Sequence, residues 1–439
     1  MSNTSAGRSK WPYVPLTTVA EKIQDGTHFS PLSTSGPFRY VTSRNIRPGY
    51  LDLESCGWIS EREHKAIFRR CDPRYGDILL TKDGANTGNA SINTLHEEIS
   101  LLSSVAMIRT DPTVADGHFV LQYLLSPEGQ TRLTDLVSGN AITRLTLAKI
   151  KAFSIPSAPL PEQRAIAAVL DSLDDAIQKT EQIIAKLQQV KQGLLHDLLT
   201  RGIDDNGELR DPERHPEQFQ DSPLGRIPKG WRAESLGSLV TSAVDGPFGS
   251  ALKSEHYVPQ PGVRLVRLQN IGSGEFIDHD HAWISQRYAE TLRRHDAVSG
   301  DVLVASLGDE NHPYGRACVF QDGSWAIVKA DCFRLRPTGF MNSDFLAASL
   351  NIDVYHRPLR GLAQGVTRDR VNLGNLLRVR LPVPSREEQN SIINMVDSLQ
   401  RRITCEQNRA QKLRSTKAGL SEDLLTGRVR TTSLPEFSA

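Results

Sequence analysis

Two short segments rich in acidic and basic side chains are the places where this sequence could hold a metal ion or a hydrolytic centre. Glu63-His64-Lys65 has the acid-x-lysine spacing of many metal-dependent nucleases. Its surroundings predict a helix, however, and a related segment later in the chain carries Gln, Arg and Tyr types instead. Asp278-His279-Asp280-His281 could chelate a metal, but alternate residues of a strand or turn point to opposite sides. The related earlier residues, Leu53 to Cys56, hold no ligand set, so we interpret the second segment as a solvated loop.

No other pattern of reactive residues points to catalysis. The phosphate-binding pattern GxxxxGK[ST] is absent, and the Gly-bounded segment from Gly84 to Gly88 lacks the lysine. The tetrapeptide [DNS]PP[YF], with which amino-methyltransferases hold a flipped base, is also absent. The five cysteines are scattered without a CxxC pair, which argues against a disulfide framework and a zinc site. We predict a chain with no catalytic centre, metal or cofactor of its own.

The composition is that of an ordinary soluble globular protein, with 38% hydrophobic and 23% charged residues among 439. No stretch approaches the ~20 apolar residues that span a bilayer, and the first residues lack the apolar core of a secretion signal. We therefore expect a cytoplasmic protein without membrane contact. The net charge of +1 is low for a protein that binds DNA alone. A chain of this charge would bind DNA only if its basic residues were concentrated on one face or a partner provided part of the contact.

The sequence contains two copies of one unit. Trp11 is matched by Trp231, YVTSRNI from Tyr40 is matched by LVRLQNI, and DLLT from Asp197 is matched by a second DLLT from Asp423. The matches keep their order while the offset drifts only from 220 to 226 residues. Chance is a poor explanation, and a solenoid would need shorter and more numerous repeats.

Two matched pairs of residues have structural interpretations. Asp77 and Asp301 follow glycines at corresponding places and are interpreted as turn residues that start a strand. Trp58 and Trp283 both precede Ile-Ser and are interpreted as core residues.

Each copy begins with short apolar runs bounded by Gly, Asp and Asn, such as YGDILLTKDG, and one helical stretch follows late in each. We predict a compact α/β (α+β) domain over residues 11–159 and a second over residues 231–384. The segment 201–230 between the copies is polar and rich in proline, with neither a helical nor a strand period. It is interpreted as a linker or surface loop.

Each copy ends in a predicted long helix, over residues 160–200 and 385–428. Polar residues interrupt the apolar pattern at matching places, Thr180 with Glu406 and Lys191 with Lys417. Helices of ~40 residues would be ~60 Å long, longer than a small domain needs. We therefore favour an antiparallel coiled coil over two helices that each pack on their own domain. The heptad core positions, spaced 3 and 4, are Ile166, Leu170, Leu173, Ile177, Ile184, Leu187, Leu194 and Leu198 in the first helix, and Ile392, Val396, Leu399, Ile403, Ala410, Leu413, Leu420 and Leu424 in the second.

Two domains attached to antiparallel helices would be related by a pseudo-twofold axis. That arrangement suits a long pseudo-symmetric ligand, and double-stranded DNA fits because two readers on one face must be held about a helical turn apart. Since the loops of the two domains differ, the two DNA half-sites should differ in sequence. The alternatives are a coiled-coil scaffold that bridges protein partners and a single-chain restriction enzyme or autonomous nuclease.

Base recognition requires Arg or Lys against guanine, Asn or Gln against adenine, and Ser or Thr as adaptable partners. Residues of these types lie in four loop zones of each copy. Arg144 and Arg370 are alike in both copies, so they are better candidates for phosphate than for base contacts. Zone one contains Thr27, His28, Phe29 and Ser30, with counterparts Phe248, Gly249, Ser250 and Lys253; zone two contains Ser43, Arg44 and Asn45, with Arg267, Gln269 and Asn270; zone three contains Lys82, Asp83, Asn86 and Thr87, with Asn311, His312, Tyr314 and Arg316; zone four contains Asn140, Thr143 and Arg144, with Thr367, Arg368 and Arg370.

The chain resembles the specificity subunits of type I restriction–modification systems over nearly its whole length, from about Trp11 to Arg430. The segments that carry this resemblance are the two helix starts, the two helix ends and the linker. They are LPEQRAIAAVLDSLDDAI, QGLLHDLLTRGID, LRDPERHPEQFQDSPLGRIPKGW, LPVPSREEQNSIINMVDSL and AGLSEDLLTGRVR.

The resemblance implies two target-recognition domains that each bind one part of a split DNA site, and two antiparallel spacer helices that fix the gap. It also implies that two methyltransferase subunits dock on those helices and that restriction (motor–nuclease) subunits join them. Adenine methylation would use S-adenosylmethionine, and cleavage of unmethylated DNA would use ATP and Mg²⁺. Those cofactors would belong to the partner subunits.

Overall fold

The computed structural model describes residues 11–137, 144–259, 262–308, 313–355 and 370–431, and at Ser250 it describes the backbone alone. The chain forms two compact units, and one of them combines two segments that are far apart in the sequence. Unit 1 comprises residues 1–183 and 406–439, and unit 2 comprises residues 184–405. Each unit therefore contains one globular domain and parts of both long helices.

Unit 1 is built from short strands and helices of mixed order. Its strands are β1 (Tyr13–Pro15), β2 (Ala20–Asp25), β3 (Phe38–Val41), β4 (Ile46–Arg47), β5 (Tyr50–Leu51), β6 (Gly57–Ile59), β7 (Ile78–Thr81), β8 (Ala90–Ile92), β9 (Ile99–Leu101), β10 (Val105–Thr110) and β11 (Ser154–Pro156). Its helices are α1 (Glu61–Phe68), α2 (Gly117–Leu125), α3 (Pro127–Leu136) and α4 (Leu147–Ala152). The long helix α5 (Leu160–Arg201) begins in this unit.

The main sheet of unit 1 has the order β2-β10-β7-β8, and a second sheet has the order β6-β3-β9, with β3 and β9 parallel. Strand β7 is buried along its whole length, as its unbroken apolar run predicts. Helix α2 covers the main sheet and begins at Asp116, whose carboxylate accepts a hydrogen bond from the backbone N–H of Phe119 at 3.0 Å. The predicted mixed α/β domain is confirmed.

Unit 2 repeats this architecture. Its strands are β12 (Phe219–Ser222), β13 (Gly225–Pro228), β14 (Arg232–Ser235), β15 (Val240–Asp245), β16 (Tyr257–Val258), β17 (Val263–Val266), β18 (Trp283–Ile284), β19 (Asp296–Ala297), β20 (Val302–Ala305), β21 (Ala317–Val319), β22 (Ala326–Val328), β23 (Cys332–Pro337) and β24 (Arg380–Val383). Its helices are α6 (Gln286–Thr291), α7 (Ser343–Asn351), α8 (Leu373–Leu377) and the first part of the long helix α9 (Arg386–Leu425). The sheet order β15-β23-β20-β21 corresponds to β2-β10-β7-β8 of unit 1, and β17 pairs in parallel with β22 as β3 does with β9.

The segment between the copies is more ordered than its sequence predicts. Within residues 201–230, β12 and β13 form an antiparallel hairpin, with Phe219 opposite Pro228. Phe219 and Ile227 are buried although most of their neighbours are polar. The expectation of a plain linker is therefore wrong over the hairpin. Two buried apolar side chains in a polar stretch are too few to give a recognisable strand period in the sequence.

The two long helices run antiparallel inside each unit. In unit 1, Lys417 Nζ lies 2.6 Å from Asp174 Oδ1, and Arg414 pairs with Glu181. The residue numbers rise in one helix as they fall in the other, which is the antiparallel direction. In unit 2, Lys191 Nζ donates to Gln400 Oε1 at 2.6 Å.

In each unit, apolar side chains of the two helices pack in one core. In unit 1, Ile166 and Leu170 share one core with Leu424, and in unit 2 Leu198 shares a core with Ile392. All sixteen predicted heptad positions are buried or half-buried. The predicted antiparallel coiled coil is confirmed, and the alternative of two helices packed separately on their own domains is not what the structure shows.

The two matched tryptophans are not the core residues that the sequence predicts. Trp58 is 39% exposed, and the Arg39 guanidinium lies 4.5 Å from its ring centre. Trp283 is half-buried and stacks on His281 at 5.3 Å. In unit 1, Trp58 lies on the edge strand β6 directly opposite Arg39 of β3, so its ring packs on a charged side chain instead of an apolar core. Among the described residues, no helix is long and apolar enough to cross a membrane.

Candidate DNA interface

Loop zones two and three of unit 1 meet at the turn before β10. The backbone N–H of Lys82 donates to the carbonyl of Ser104 at 2.9 Å, and the backbone N–H of Ser43 donates to Ser104 Oγ at 3.3 Å. The Asn86 amide also donates to the carbonyl of Ser43 at 3.4 Å. The β7–β8 hairpin loop and the loop after β3 are thus held side by side.

Zones one, three and four of unit 1 are joined by charged groups. Lys82 Nζ lies 3.4 Å from Asp25 Oδ2, which precedes zone one, and 3.4 Å from Asp83 Oδ2. Asp83 Oδ1 lies 3.3 Å from Arg144 Nε, and residues 83 and 144 also form a β-bridge. His28 Nε2 lies 3.6 Å from Asp25. All four predicted zones of the first copy therefore converge on one region.

Unit 2 repeats part of this convergence with other side chains. Arg370 in zone four forms a β-bridge with Leu307, the position that corresponds to Asp83. Its guanidinium pairs with Asp331 at 3.1 Å and lies 5.2 Å from the ring of Phe248 in zone one. In both copies the bridge is extended by a matching backbone hydrogen bond, from Leu145 N to Lys82 O and from Val371 N to Ser306 O.

Two asparagines that were predicted to contact bases are part of the framework instead. Asn45 is 2% exposed, accepts from the backbone N–H of Thr42 at 2.9 Å, and donates to the carbonyl of Asp52 at 3.1 Å. Asn270 is fully buried and makes the corresponding turn, accepting from the N–H of Arg267 at 2.9 Å. Their polar atoms are occupied within the protein, so neither can read a base without breaking its loop.

Four other predicted DNA contacts are also buried. Thr27 is 4% exposed, and its hydroxyl accepts from the backbone N–H of Phe29. Lys82 is 2% exposed, and Tyr314 lies in the main core of unit 2. Arg316 is 6% exposed and donates to the carbonyls of Ile271, Leu268, Leu307 and Pro313. Sequence position alone placed these polar residues in loops, but it could not show that their side chains turn inward.

The other candidates of the second copy differ in how freely they reach solvent. Arg267 and Gln269 both bind Asp280, the first at 2.8 Å and the second at 2.6 Å. The side-chain hydrogen bonds from Gln269 and Arg267 lower the pKa of the Asp280 carboxyl, so it is ionised at neutral pH. Lys253 is exposed and lies 3.7 Å from Glu255.

Several predicted contacts keep exposed or half-exposed polar atoms, and their types fit nucleic acid. Arginine and glutamine side chains can donate to base edges, and arginine can also bind phosphate oxygens. The members in unit 1 are His28, Ser43, Arg44, Asn86, Thr87 and Arg144, and those in unit 2 are Lys253, Arg267, Gln269 and Arg370. The predicted Thr143, Asn311 and Arg368, with Asn140, His312 and Thr367, lie outside the described residues, as does the side chain of Ser250.

The segment with nuclease-like spacing is a helix start, as predicted. Ser60 caps α1, and its hydroxyl donates to the Glu63 carboxylate at 2.7 Å. Hydrogen bonds from Ser33 and Ser60 lower the pKa of Glu63 to about 2. His64 is 1% exposed and is held between Glu98 and Ser100, each at 2.9 Å. These contacts stabilise the helix and leave no open site between the acid and Lys65, whose ammonium pairs with Glu61.

The Asp-His-Asp-His segment is held by arginines. Asp278 accepts from Arg264 at 2.8 Å, and the other acid of the segment is the Asp280 that pairs with Arg267. Among the residues that the structure describes, no group of three or more His, Cys, Asp or Glu side chains is placed to hold a metal ion.

A duplicated buried ion pair supports the strands beneath the candidate interface. Arg109 donates to both carboxylate oxygens of Asp77, at 3.0 and 2.9 Å, and Arg336 donates to both of Asp301, at 2.8 and 2.9 Å. The sequence predicted turn residues at the two aspartates. It missed the arginines, although both lie near the end of an apolar strand at matching places in the two copies.

Comparison with known proteins gives a consistent family. Residues 9–189 match the model of the type I restriction modification DNA specificity domain. The type I restriction enzyme MjaVIII specificity subunit of Methanocaldococcus jannaschii is 23% identical over 412 residues, which cover 91% of this chain and 88% of the relative. The putative type I restriction enzyme MjaX specificity subunit of the same organism is 21% identical over 430 residues, covering 96% and 94%.

The fold agrees with that of a solved relative. The crystal structure of the type I restriction–modification system S subunit from M. genitalium aligns over 96% of this chain and 98% of its own, with a TM-score of 0.56 and 15% identity. The duplicated domains, the paired helices and the sequence matches point the same way. The chain is similar over nearly its whole length to type I restriction–modification specificity subunits, and its residues 9–189 match the DNA specificity domain of that family.

Proposed function

We propose that this chain is the sequence-specific DNA-binding subunit of a type I restriction–modification complex and binds a split, asymmetric site in the cytoplasm. The proposal rests on the main-chain framework that the two copies share and on the different polar side chains that they carry in their loops. Zones one and four converge in both copies, but Lys82 and Asp83, which join them in the first copy, are replaced by Ser306 and Leu307 in the second. Two readers of common architecture and different loop chemistry suit two half-sites of different sequence.

Within each half-site we assign different tasks to different side chains. Arg144 and Arg370 occupy corresponding β-bridges and are about half exposed, so they are proposed as phosphate contacts that position the domain. Arg44 and Gln269 are exposed and differ between the copies, so they are proposed as base contacts.

The paired helices are proposed as the element that sets the gap between the half-sites. Their antiparallel seam of heptad residues keeps a fixed register. We further propose that this chain is not itself catalytic. Two methyltransferase subunits would dock on the helices and methylate adenine with S-adenosylmethionine, and restriction subunits would cleave unmethylated DNA with ATP and Mg²⁺.

Mapping methylated adenines in a host that carries the complex tests the recognition proposal. The expected result is one bipartite motif with unlike halves and a constant spacer, lost when this chain is removed. Methylation without a sequence preference, or DNA captured by the reconstituted complex without sequence enrichment, would instead support a scaffold that bridges protein partners.

Deleting one heptad from each helix tests the spacer proposal. Residues 177–183 and 408–414 face each other in unit 1, as the pairs Asp174–Lys417 and Glu181–Arg414 show, and their removal keeps the heptad phase. The mapped motif should keep both halves and change its spacer. A matched control replaces only the exposed residues of the same heptads and should leave the spacer as it was. An unchanged spacer in the deletion variant would contradict the proposal.

A further inference from the structure

Unit 1 contains a buried chain of alternating charges at its candidate interface that the predicted contacts do not account for. Asp25, Lys82 and Asp83 have side chains that are 4%, 2% and 23% exposed. The Lys82 ammonium lies 3.4 Å from a carboxylate oxygen on either side. A buried ammonium without such partners would be strongly unfavourable, so these three groups hold one another in place.

Each end of this chain carries an exposed arginine. Arg70 Nη2 lies 2.9 Å from Asp25 Oδ1, and Arg144 Nε lies 3.3 Å from Asp83 Oδ1. The two guanidiniums are 48% and 55% exposed. A guanidinium has five N–H donors, so an arginine bound to one carboxylate oxygen keeps donors for a phosphate. Three cations against two anions also leave this set with one net positive charge.

The second copy lacks this arrangement. Ser306 and Leu307 stand where Lys82 and Asp83 stand, and Arg370 is held by Asp331 and Phe248 instead. The segment Arg69 to Asp72 is matched by Arg293 to Asp296, and near Asp245 it is His295 whose Nδ1 contacts the main-chain carbonyl at 2.5 Å. Within the residues that the structure describes, the charged chain is therefore found in the first copy and not in the second.

We propose that the Asp25–Lys82–Asp83 chain presets Arg70 and Arg144 as a pair of phosphate contacts, which makes Asp25 a positioning residue for one half-site only. This proposal rests on the proposed DNA recognition and adds Arg70 and Asp25 to it. Fixed phosphate contacts determine where the base-reading loops lie on the duplex. Losing their orientation lowers discrimination between sequences even when the total positive charge is kept.

The test is Asp25→Asn in the full chain, reconstituted with its methyltransferase subunit. Binding is measured on the mapped site and on duplexes with one base pair changed in either half. We expect discrimination in one half-site to fall on the order of tenfold, while discrimination in the other half stays as in the wild type. Affinity for the changed duplexes should be equal or higher, because one carboxylate charge has been removed. The matched control is Asp245→Asn, which keeps the backbone contact to His295 and should leave the half-site affected by Asp25→Asn unchanged.

A second variant keeps the proposal open to contradiction if Asp25→Asn fails to fold. Arg70→Gln changes an exposed side chain and should weaken binding about fivefold at 0.15 M salt, for matched and changed duplexes alike, while the salt slope falls by about one. Equal loss of discrimination in both half-sites with Asp25→Asn, or an unaltered salt slope with Arg70→Gln, would overturn this proposal and leave the proposed function intact. A wild-type complex that does not distinguish matched from changed duplexes would overturn the proposed function itself.

Discussion

The two copies of the duplicated unit share their main-chain framework and differ at the edge where that framework ends. Both have a buried asparagine turn, at Asn45 and Asn270, and both have a buried aspartate held by two arginine hydrogen bonds, at Asp77 and Asp301. These residues were kept while most of the sequence between them changed. What they have in common is burial and satisfied hydrogen bonding.

The residues that were not kept lie where zones one, three and four meet. The first copy has the buried Lys82 between two carboxylates, and the second has Arg370 against an aspartate and the ring of Phe248. Within one chain, then, a buried polar residue found in both copies belongs to the framework, and an exposed polar residue that differs between the copies is the better candidate for base recognition.

The strongest test of this comparison removes the shared aspartates. Asp77→Ala should cost about 3 kcal/mol, because Arg109 loses two charge-assisted hydrogen bonds at a largely buried site and keeps Asp72, at 3.5 Å, as its acidic partner. Asp301→Ala should cost less, because Arg336 is 37% exposed and can reach water whereas Arg109 is 13% exposed. Hydrogen exchange resolved by unit is the measurement, with Asp77→Ala loosening unit 1 and Asp301→Ala loosening unit 2. Equal losses for the two variants would contradict the role given to exposure.

A second test compares the asparagine turns with a loop asparagine. Asn45→Ala and Asn270→Ala should each cost about 2–3 kcal/mol, because buried partners lose their hydrogen bonds. Asn86→Ala is the matched control, since Asn86 is half-buried and its amide donates over 3.4 Å, and it should cost less than about 1 kcal/mol. Thermal unfolding of the three variants decides the matter. If Asn86→Ala were the most damaging, the division between framework and interface would fail.

A third test asks whether the matched arginines bind phosphate. Arg144→Gln and Arg370→Gln should each reduce the salt slope of DNA binding by about one and weaken all duplexes by a similar factor. Fluorescence anisotropy over a range of salt concentrations gives both quantities. A variant that weakened only the matched duplex would show that its arginine reads a base instead.

The smallest expected effect is the pH dependence of helix α1, because Glu63 in its first turn has no acidic counterpart in the second copy. Glu63 has its pKa lowered to about 2 by hydrogen bonds from Ser33 and Ser60, and the corresponding residue of the second copy is Tyr288. Because the folded pKa lies below the ordinary value, the stabilisation is complete above about pH 4.5 and declines as the pH falls towards 2. Hydrogen exchange should show α1 loosening in the wild type as the pH falls from about 4.5 towards 2. Glu63→Gln should remove this dependence, and α6 should not show it.

The sequence predicted the elements well because their signals are local and repeated. The 3-4 spacing of residues such as Ile166 and Leu170 appears twice in one register and predicts both the helices and their seam. The buried strand Ile78–Thr81 follows in the same way from its apolar run. The boundaries of the long helices lie within about three residues of those predicted.

The direction of individual polar side chains could not be predicted, because it depends on partners far away in the sequence. Arg316 lies in a predicted DNA-binding loop, but its guanidinium is buried and donates to the carbonyls of residues 268 and 271. The buried Lys82 pairs with Asp25, which is 57 positions earlier in the chain. The sequence shows which polar residues are available, and only the folded chain shows which of them still face water.

The composition of unit 1 has a consequence for how the protein is made. Its core joins Trp11 and Ile166 to Leu424 and Leu425, near the other end of the chain. A ribosome releases Leu424 only after the whole of residues 184–405 has emerged. The core of unit 1 can therefore form completely only after helix α9 has been synthesised. Unit 2 is continuous in sequence and has no such wait. In translation, the domain of residues 11–159 is therefore completed after unit 2, although it is synthesised before it.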